Sequence, residues 1–233
     1  MKRRNFFTTS VAGAAAASLS CAKEAPRNAA PPEILTTDNG LIAGKTLQDL
    51  REEHRFWLFD DYLPFYHQHV VDREYGGFMC DTDRDGTNLT KNKRTWYEGR
   101  GIWVHSFLNN KVKKDPEYVD IARKSVEFIM KQNPTGPELM PAGYTQDGKP
   151  LQNKPDPIFY GDMFVAGGFQ EFSAAAGDDQ YWDMAKKMIL KCLDIYDNRP
   201  GYGNLPKTDK APAVERPRML GHWFMLLNNT TMM

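Results

Sequence analysis

An arginine stands among aromatic residues near the start of one helical segment. The stretch Trp96-Tyr97-Glu98-Gly99-Arg100 places it in an otherwise apolar run. A guanidinium is not buried without a partner, because its desolvation costs several kcal/mol. Arg100 therefore either pairs with a carboxylate, for which Glu98 and Asp162 are the candidates, or faces a polar pocket. The aromatic neighbours favour the pocket, since sugar rings stack on Trp and Tyr while an arginine binds sugar oxygens.

Two other apolar segments carry polar groups that an inner pocket could use. Tyr160-Gly161-Asp162 brings a phenol and a carboxylate to the start of one of them. His222 lies between Gly221 and Trp223 in the other. A lone histidine on such an apolar face is more often a hydrogen-bonded core residue than a catalytic one. The residues alone therefore favour the core for His222.

The acidic segment Asp81–Gly86 matches the first half of a calcium-binding loop. The twelfth position of that loop would be Asn92, where a bidentate Glu is required, and Arg84 adds a positive charge. The Asp85-Gly86 pair instead favours a β-hairpin turn that joins short strands after the apolar segment Tyr75–Cys80. We therefore predict a hairpin and no metal site.

Hydrophobic periodicity predicts six helices separated by Gly- and Pro-containing connectors. Their ranges are 46–69, 94–111, 115–133, 158–176, 179–197 and 216–230. The third and fifth helices have one apolar stripe, whereas the second, fourth and sixth are apolar nearly all round, as buried helices are. This alternation favours an outer ring of helices around an inner ring, an all-α toroid, over a generic helical array.

Composition excludes several classes of function. The 30 Lys and Arg residues balance the 30 Asp and Glu residues, so no basic excess indicates nucleic-acid binding. Hydrophobic residues make up 41% of the chain, which is enough for a core and excludes global disorder. No phosphate-binding loop, dinucleotide fingerprint or serine-nucleophile motif is present, so we predict no cofactor.

The N-terminal residues have the pattern of an export signal. Residues 1–24 combine a basic start with a short apolar stretch of small residues, and Arg3-Arg4 resembles a twin-arginine signal. Cys21 is a candidate for lipid attachment. Residues 25–45 contain several prolines and are predicted to be a flexible linker. We expect an exported protein, periplasmic or lipid-anchored to a bacterial membrane, whose folded part is 46–233.

Five short segments follow one another in a recognisable order: Tyr75–Phe78, Asp83–Gly86, Trp96–Trp103, Tyr160–Phe164 and Gly221–Leu227. Together they resemble the N-acylglucosamine 2-epimerase family, which also contains cellobiose 2-epimerases and aldose–ketose isomerases. The resemblance covers about residues 46–228. It implies an (α/α)6 barrel, of which the six helices form the N-terminal half.

The resemblance also implies a reaction on a mono- or disaccharide with a free reducing end. Members of the family remove the proton at C2, α to the carbonyl, and pass through an enediolate. Arg100 matches the arginine that supports the oxygen becoming negative. Tyr160 matches a substrate-contacting tyrosine, and His222 matches a pocket histidine, which raises the pocket above the core for this residue. We predict the catalytic residues Arg100 and His222 and the substrate-binding residues Trp96, Glu98, Tyr160 and Asp162.

The family's catalytic histidine pair lies in the second half of the barrel, after the last residue of this sequence. We therefore expect a partial barrel that exposes apolar inner faces and is not active alone. One alternative is a glycan-degrading hydrolase or lyase that uses Glu98 and Asp162 as its carboxylate pair. Another is a non-catalytic sugar-binding half-barrel. The sequence leaves open whether the chain forms a homodimer.

Overall fold

The computed structural model describes residues 40–200, 202, 213 and 220–232. It divides into a first unit that ends at Glu53 and a second unit that begins at His54. The predicted export signal, Cys21 and most of the predicted linker lie outside the described residues. Within the described part, no helix combines the length and apolar character that crossing a bilayer would require.

Helices dominate the described residues, and they lie inside the predicted ranges to within one residue. We number the helices α1 (Leu47–Phe56), α2 (Leu63–His69), α3 (Thr95–Phe107), α4 (Pro116–Met130), α5 (Tyr160–Ala176), α6 (Gln180–Asn198) and α7 (Leu220–Thr231). A π-helical turn, Trp57–Tyr62, separates α1 from α2, and a second, Leu108–Val112, follows α3. The first predicted helix is thus divided in two. The predicted start of the sixth helix, at 216, lies outside the described residues.

Local capping explains where two of these helices begin and end. The Asp115 side chain accepts a hydrogen bond of 3.1 Å from the Glu117 amide, and Pro116 occupies the first helical position of α4. Helix α5 ends at Gly177, whose φ of 66° is the left-handed conformation that glycine adopts without a steric penalty.

The segment between α2 and α3 forms turns and single β-bridges. Val71 pairs with Phe78, and Thr82 pairs with Asn88, both antiparallel. The Asp85-Gly86 turn is confirmed, with Gly86 at a φ of 88°. The hairpin around that turn is thus a single bridge and not a longer pair of strands.

A two-residue ladder supplies the regular β structure of the described residues. Strand β1 (Lys93–Arg94) pairs antiparallel with strand β2 (Gly143–Tyr144). The Lys93 side chain is fully buried and forms an ion pair of 2.8 Å with Asp72. Its ammonium group also donates to the carbonyl oxygens of Gly76 and Gln146 at 2.5 and 3.0 Å. Lys93 therefore joins the turn that contains Asp72 and Gly76 to the loop that contains Gln146.

Helices α3 and α5 approach each other closely because glycines face both sides of their contact. A Cβ atom on Gly99 would overlap the backbone of Phe164. A Cβ on Gly168 would lie 2.7 Å from the carbonyl oxygen of Gly99. Replacement of either glycine would force the two helices apart.

Helix α5 is buried as predicted, whereas α3 and α7 each leave an apolar face exposed, as expected for inner helices of a partial barrel. Helix α5 buries most of its length, including Met163, Phe169 and Phe172 at 0% exposure. Helix α3, in contrast, leaves Val104 41% exposed, and α7 leaves Phe224 64% exposed. Apolar side chains of these two helices therefore lie partly in the core and partly on an exposed face that no described residue covers.

Candidate active site

Helices α3, α5 and α7 line a groove of about 450 Å³. This volume lies in the range of roughly 300–1,000 Å³ that small-molecule sites occupy. Most of the lining is apolar or aromatic, and its polar side chains are one arginine and two asparagines. The lining residues are Gly99, Arg100, Trp103, Val104, Met163, Phe164, Gly167, Phe224, Met225, Asn228, Asn229 and Met232.

Arg100 is the charged group of this groove. Its side chain is exposed, and its guanidinium carbon lies 5.9 Å from the centre of the Trp96 ring and 5.7 Å from that of the Phe164 ring. None of the ion pairs within the described ranges includes it. Of the two alternatives that the sequence leaves open, the structure supports the pocket. Cation–π contact holds the guanidinium in place while leaving its N–H donors available.

A smaller cavity of about 220 Å³ lies between α2 and α3. It shares Arg100 and Val104 with the groove, and Trp96 lines it. Trp96 is 39% exposed and meets Tyr97 edge-on, with ring centres 5.4 Å apart. The structure therefore brings Trp96 and Arg100 together, as predicted, with Trp96 on the side of the smaller cavity.

Glu98 lies in the core and not in the groove. Its carboxylate accepts a hydrogen bond of 2.9 Å from the Phe78 amide and one of 2.7 Å from the Ser125 hydroxyl. Complete burial raises the pKa of this carboxyl to about 7, although both hydrogen bonds oppose the shift. Glu98 fastens the turn that precedes Phe78 to helices α3 and α4. We therefore assign it to the support of the site and not to substrate contact.

Asp162 has a comparable structural role at the start of α5. Its carboxylate forms an ion pair of 2.6 Å with Lys191 on α6 and accepts a hydrogen bond of 3.0 Å from the Met140 amide. Burial raises the pKa of this carboxyl, while the Lys191 ammonium opposes the shift. Asp162 and Glu98 are both absent from the groove lining. The hydrolase alternative, which requires this carboxylate pair in the pocket, therefore loses its support.

His222 is buried in an aromatic cluster at the start of α7. Its ring centre lies 4.7 Å from that of Phe159, 5.1 Å from that of Tyr160 and 5.7 Å from that of Tyr202. Burial lowers the pKa of this imidazole, which favours its neutral form. Neither His222 nor Tyr160 lines either of the two cavities described above. Neither ring nitrogen of His222 has a hydrogen-bond partner among the described residues, so a hydrogen-bonded core histidine is not observed, and the pocket role that the resemblance implies stays a prediction.

The structure adds groove residues that the sequence analysis did not select. Trp103 lies beside Arg100 on α3, and Met225 and Asn229 lie one helical turn apart on α7. The polar pair Asn228-Asn229 near the end of an otherwise apolar helix could have indicated that this helix lines a polar groove. Because the apolar pattern predicted burial of α7 on every side, this pair was not predicted to line a pocket.

The groove can bind and polarise a neutral, oxygen-rich ligand. Arg100 supplies N–H donors and positive charge, and the aromatic walls offer faces for a sugar ring. Among the described lining residues there is no carboxylate, histidine or lysine. The described groove therefore stabilises developing negative charge but does not itself contain a base that could remove a proton.

Comparison with known proteins identifies relatives of one kind. No sequence-family profile matches the chain. The N-acylglucosamine 2-epimerase of Homo sapiens is 25% identical over 187 residues, and that of Bos taurus is 26% identical over 160 residues. These alignments cover 76% and 67% of this chain but only 43% and 37% of the relatives. The solved cellobiose 2-epimerase from Spirochaeta thermophila DSM 6192 matches with a TM-score of 0.61 and 20% identity, covering 79% of this chain and 48% of that one.

The resemblance to sugar 2-epimerases is confirmed. The predicted (α/α)6-barrel fold class is confirmed with it, because the solved neighbours are cellobiose 2-epimerases, which have that fold. The chain spans less than half the length of the sugar 2-epimerases that it matches.

Proposed function

We propose that this chain provides the substrate groove of a sugar 2-epimerase or aldose–ketose isomerase. The substrate is a mono- or disaccharide with a free reducing end. The observation that carries the proposal is Arg100, a cation without a carboxylate partner in the described structure, set between aromatic rings in a groove that α3, α5 and α7 line. The similarity to N-acylglucosamine 2-epimerases and cellobiose 2-epimerases supports the same reaction class.

Arg100 has a definite role in this chemistry. In the open-chain sugar, the proton at C2 is acidic because the C1 carbonyl stabilises the resulting carbanion as an enediolate. The guanidinium donates hydrogen bonds to the oxygen on which the negative charge develops, so it stabilises the enediolate more than the neutral sugar. Reprotonation of C2 on either face gives epimers, and protonation of C1 gives the ketose. The acid and base of these steps are not among the described groove residues.

Hydrogen–deuterium exchange at C2 tests the proposed reaction directly. Each sugar, N-acetylglucosamine and cellobiose in turn, is incubated with the chain in D2O, and loss of the C2 proton is followed by NMR. Arg100→Ala should slow any exchange that the wild-type chain catalyses by about a hundredfold or more, because the donor to the developing enediolate oxygen is lost. Arg123→Ala is the matched control, because Arg123 also packs on an aromatic ring, that of Phe172, outside the groove. Unchanged exchange in Arg100→Ala would contradict the assigned role.

Sugar binding without turnover is the second candidate function. The lack of a proton-abstracting group among the described lining residues favours it. It predicts that the sugars quench the fluorescence of the groove tryptophan while the C2 proton does not exchange. Arg100→Ala would then weaken binding without any effect on a reaction rate.

We further propose that the protein acts outside the cytoplasm. Residues 1–24 support this, with Arg3-Arg4 as a twin-arginine signal and Cys21 as the site of lipid attachment. Replacement of Arg3 and Arg4 by lysine should retain the protein in the cytoplasm of a producing bacterium, and Cys21→Ser should abolish labelling with a radioactive fatty acid. Export of the double-lysine variant would contradict the signal. Homodimer formation can be measured on the same preparations by sedimentation.

A further inference from the structure

Asn229 presents a buried hydrogen-bond acceptor beside the groove. The residue lines the groove from α7 and is only 1% exposed. Its side-chain amide donates through Nδ2 to the Met225 carbonyl oxygen at 3.0 Å, which fixes the orientation of the amide. The other end of the amide, Oδ1, accepts no hydrogen bond from any residue in the described ranges.

Gly167 on α5 makes room for this oxygen. A Cβ on Gly167 would lie 2.8 Å from Asn229 Oδ1, which is closer than real Cβ contacts come. Gly167 itself lines the groove, so Oδ1 lies against the groove wall where the facing helix has no side chain. A larger residue at position 167 would displace the amide. Asn229 and Gly167 thus form one structural pair across α5 and α7.

An acceptor left without a donor in a protein interior keeps the whole cost of its desolvation. Replacing such a group by an apolar one of similar shape costs little or even stabilises the fold. Among the described residues Asn229 Oδ1 forms no bond that holds the fold together, so the fold alone gives no reason for an acceptor at this place. A ligand that donates a hydrogen bond to it would offset the cost.

The groove restricts the chemistry of that ligand. One N–H of Nδ2 donates to the Met225 carbonyl, and Oδ1 can only accept, so a ligand group that bonds to Oδ1 must be a donor. Across the groove, Arg100 offers N–H donors and needs acceptors. Carboxylates and phosphates accept but do not donate, so they would satisfy only the arginine. A sugar satisfies both walls, because each hydroxyl group both donates and accepts.

We propose that Asn229 Oδ1 accepts a hydrogen bond from one hydroxyl group of the sugar bound in the groove and thereby selects sugars that carry that hydroxyl. This inference rests on the proposed function and adds to it a specificity-determining residue. Oδ1 is shielded from solvent, so the ligand reaches it as the groove adjusts. Met225 and Met232 line the same wall, and their unbranched side chains can shift to allow the contact.

Deoxy sugars provide the test. The dissociation constants of D-glucose and its 2-, 3-, 4- and 6-deoxy analogues are measured by fluorescence titration with the wild-type chain, Asn229→Leu and Asn198→Leu. Asn198 on α6 is the matched control, because its side-chain amide also donates to a residue four positions earlier, Asp194, but it lies outside the groove lining. We expect one deoxy analogue to bind the wild type about tenfold more weakly than glucose, as the loss of one hydrogen bond predicts. Asn229→Leu should bind glucose and that analogue equally, while Asn198→Leu should keep the wild-type preference.

The outcomes separate this inference from the proposed function. If the wild-type chain binds none of the sugars, the proposed function fails. If the wild type binds them and Asn229→Leu keeps the same preference, only the role of Asn229 fails. Thermal unfolding of Asn229→Leu should be unchanged or shifted upwards, and a large downward shift would indicate a structural residue. If that variant does not fold, Gly167→Ala tests the same oxygen from α5, and a retained hydroxyl preference there would overturn the proposal.

Discussion

Glu98 and Arg100 of α3 stand in the same apolar, aromatic-rich stretch of sequence, but the first is buried and the second is exposed. They are two positions apart, which places them on opposite sides of a helix, roughly 200° around its axis. Glu98 is completely buried and holds the Phe78 amide and the Ser125 hydroxyl. Arg100 is exposed and contacts aromatic rings at the groove. A charged residue in an apolar helix is thus either buried with hydrogen-bond partners or exposed at a groove, according to the face on which it lies.

Removal of each side chain should separate the two roles, with the largest effect on the core face. Glu98→Ala leaves a buried amide and a buried hydroxyl without an acceptor and creates a cavity, so we expect a loss of about 3–5 kcal/mol in the free energy of unfolding. Arg100→Ala, on the exposed face, should cost less than about 0.5 kcal/mol. Urea denaturation of both variants measures these values. Equal losses would show that Arg100 is also structural.

The sequence predicted helices α3, α5 and α7 well, because hydrophobic periodicity is a local property of the sequence. It did not separate Glu98 from Arg100. Which face of α3 is buried depends on close packing at Gly99, where a Cβ would overlap the Phe164 backbone, and this contact joins residues far apart in the chain. The same reason applies to the burial of His222, whose neighbours Phe159 and Tyr202 come from other segments. The ladder of β1 and β2 was missed because two residues have no pattern of their own.

Protonation of Glu98, on the buried face of α3, should also make stability depend on pH. Glu98→Gln tests this contribution, because a glutamine does not titrate. The pKa of Glu98 is raised to about 7 in the folded chain from an ordinary value of 4.5. The folded state therefore binds this proton more tightly than the unfolded state, so the contribution of Glu98 to stability rises as the pH falls from 7 to 4.5. That contribution corresponds to about 3 kcal/mol. Glu98→Gln removes it, so the variant should lose stability relative to the wild type when unfolding is compared at pH 7 and pH 4.5, and a wild-type pH dependence in the variant would contradict the assignment.

His105, on the same buried side of α3, should act in the opposite direction. Burial lowers the pKa of its imidazole to about 4 from an ordinary value of 6.5, although its Nδ1 hydrogen bond of 2.9 Å to the Gly101 carbonyl opposes the shift. The unfolded state binds this proton more tightly, so stability falls as the pH drops from 6.5 to 4, by about 3 kcal/mol.

The contributions of Glu98 and His105 therefore nearly cancel in the wild type. His105→Phe should expose the Glu98 contribution, so that the variant gains stability on acidification relative to wild type. His67, whose Nε2 lies 3.3 Å from that of His105, has a pKa that burial also lowers, and His67→Gln distinguishes its share. If His105→Phe followed the wild-type pH profile, the assignment to His105 would be wrong.

The smallest predicted effect compares two buried serines that differ in one respect. The Ser125 hydroxyl donates to Glu98 at 2.7 Å, whereas Ser106 Oγ, equally buried, has no hydrogen-bond partner among the residues that the structure describes. Ser125→Ala should lower the free energy of unfolding by about 1–2 kcal/mol and raise the pKa of Glu98 further, because a hydrogen bond that favours the carboxylate is lost. Ser106→Ala should be neutral or slightly stabilising. Urea denaturation and carboxyl-carbon NMR titration measure both effects, and equal losses from the two serines would mean that cavity formation outweighs the hydrogen bond to Glu98.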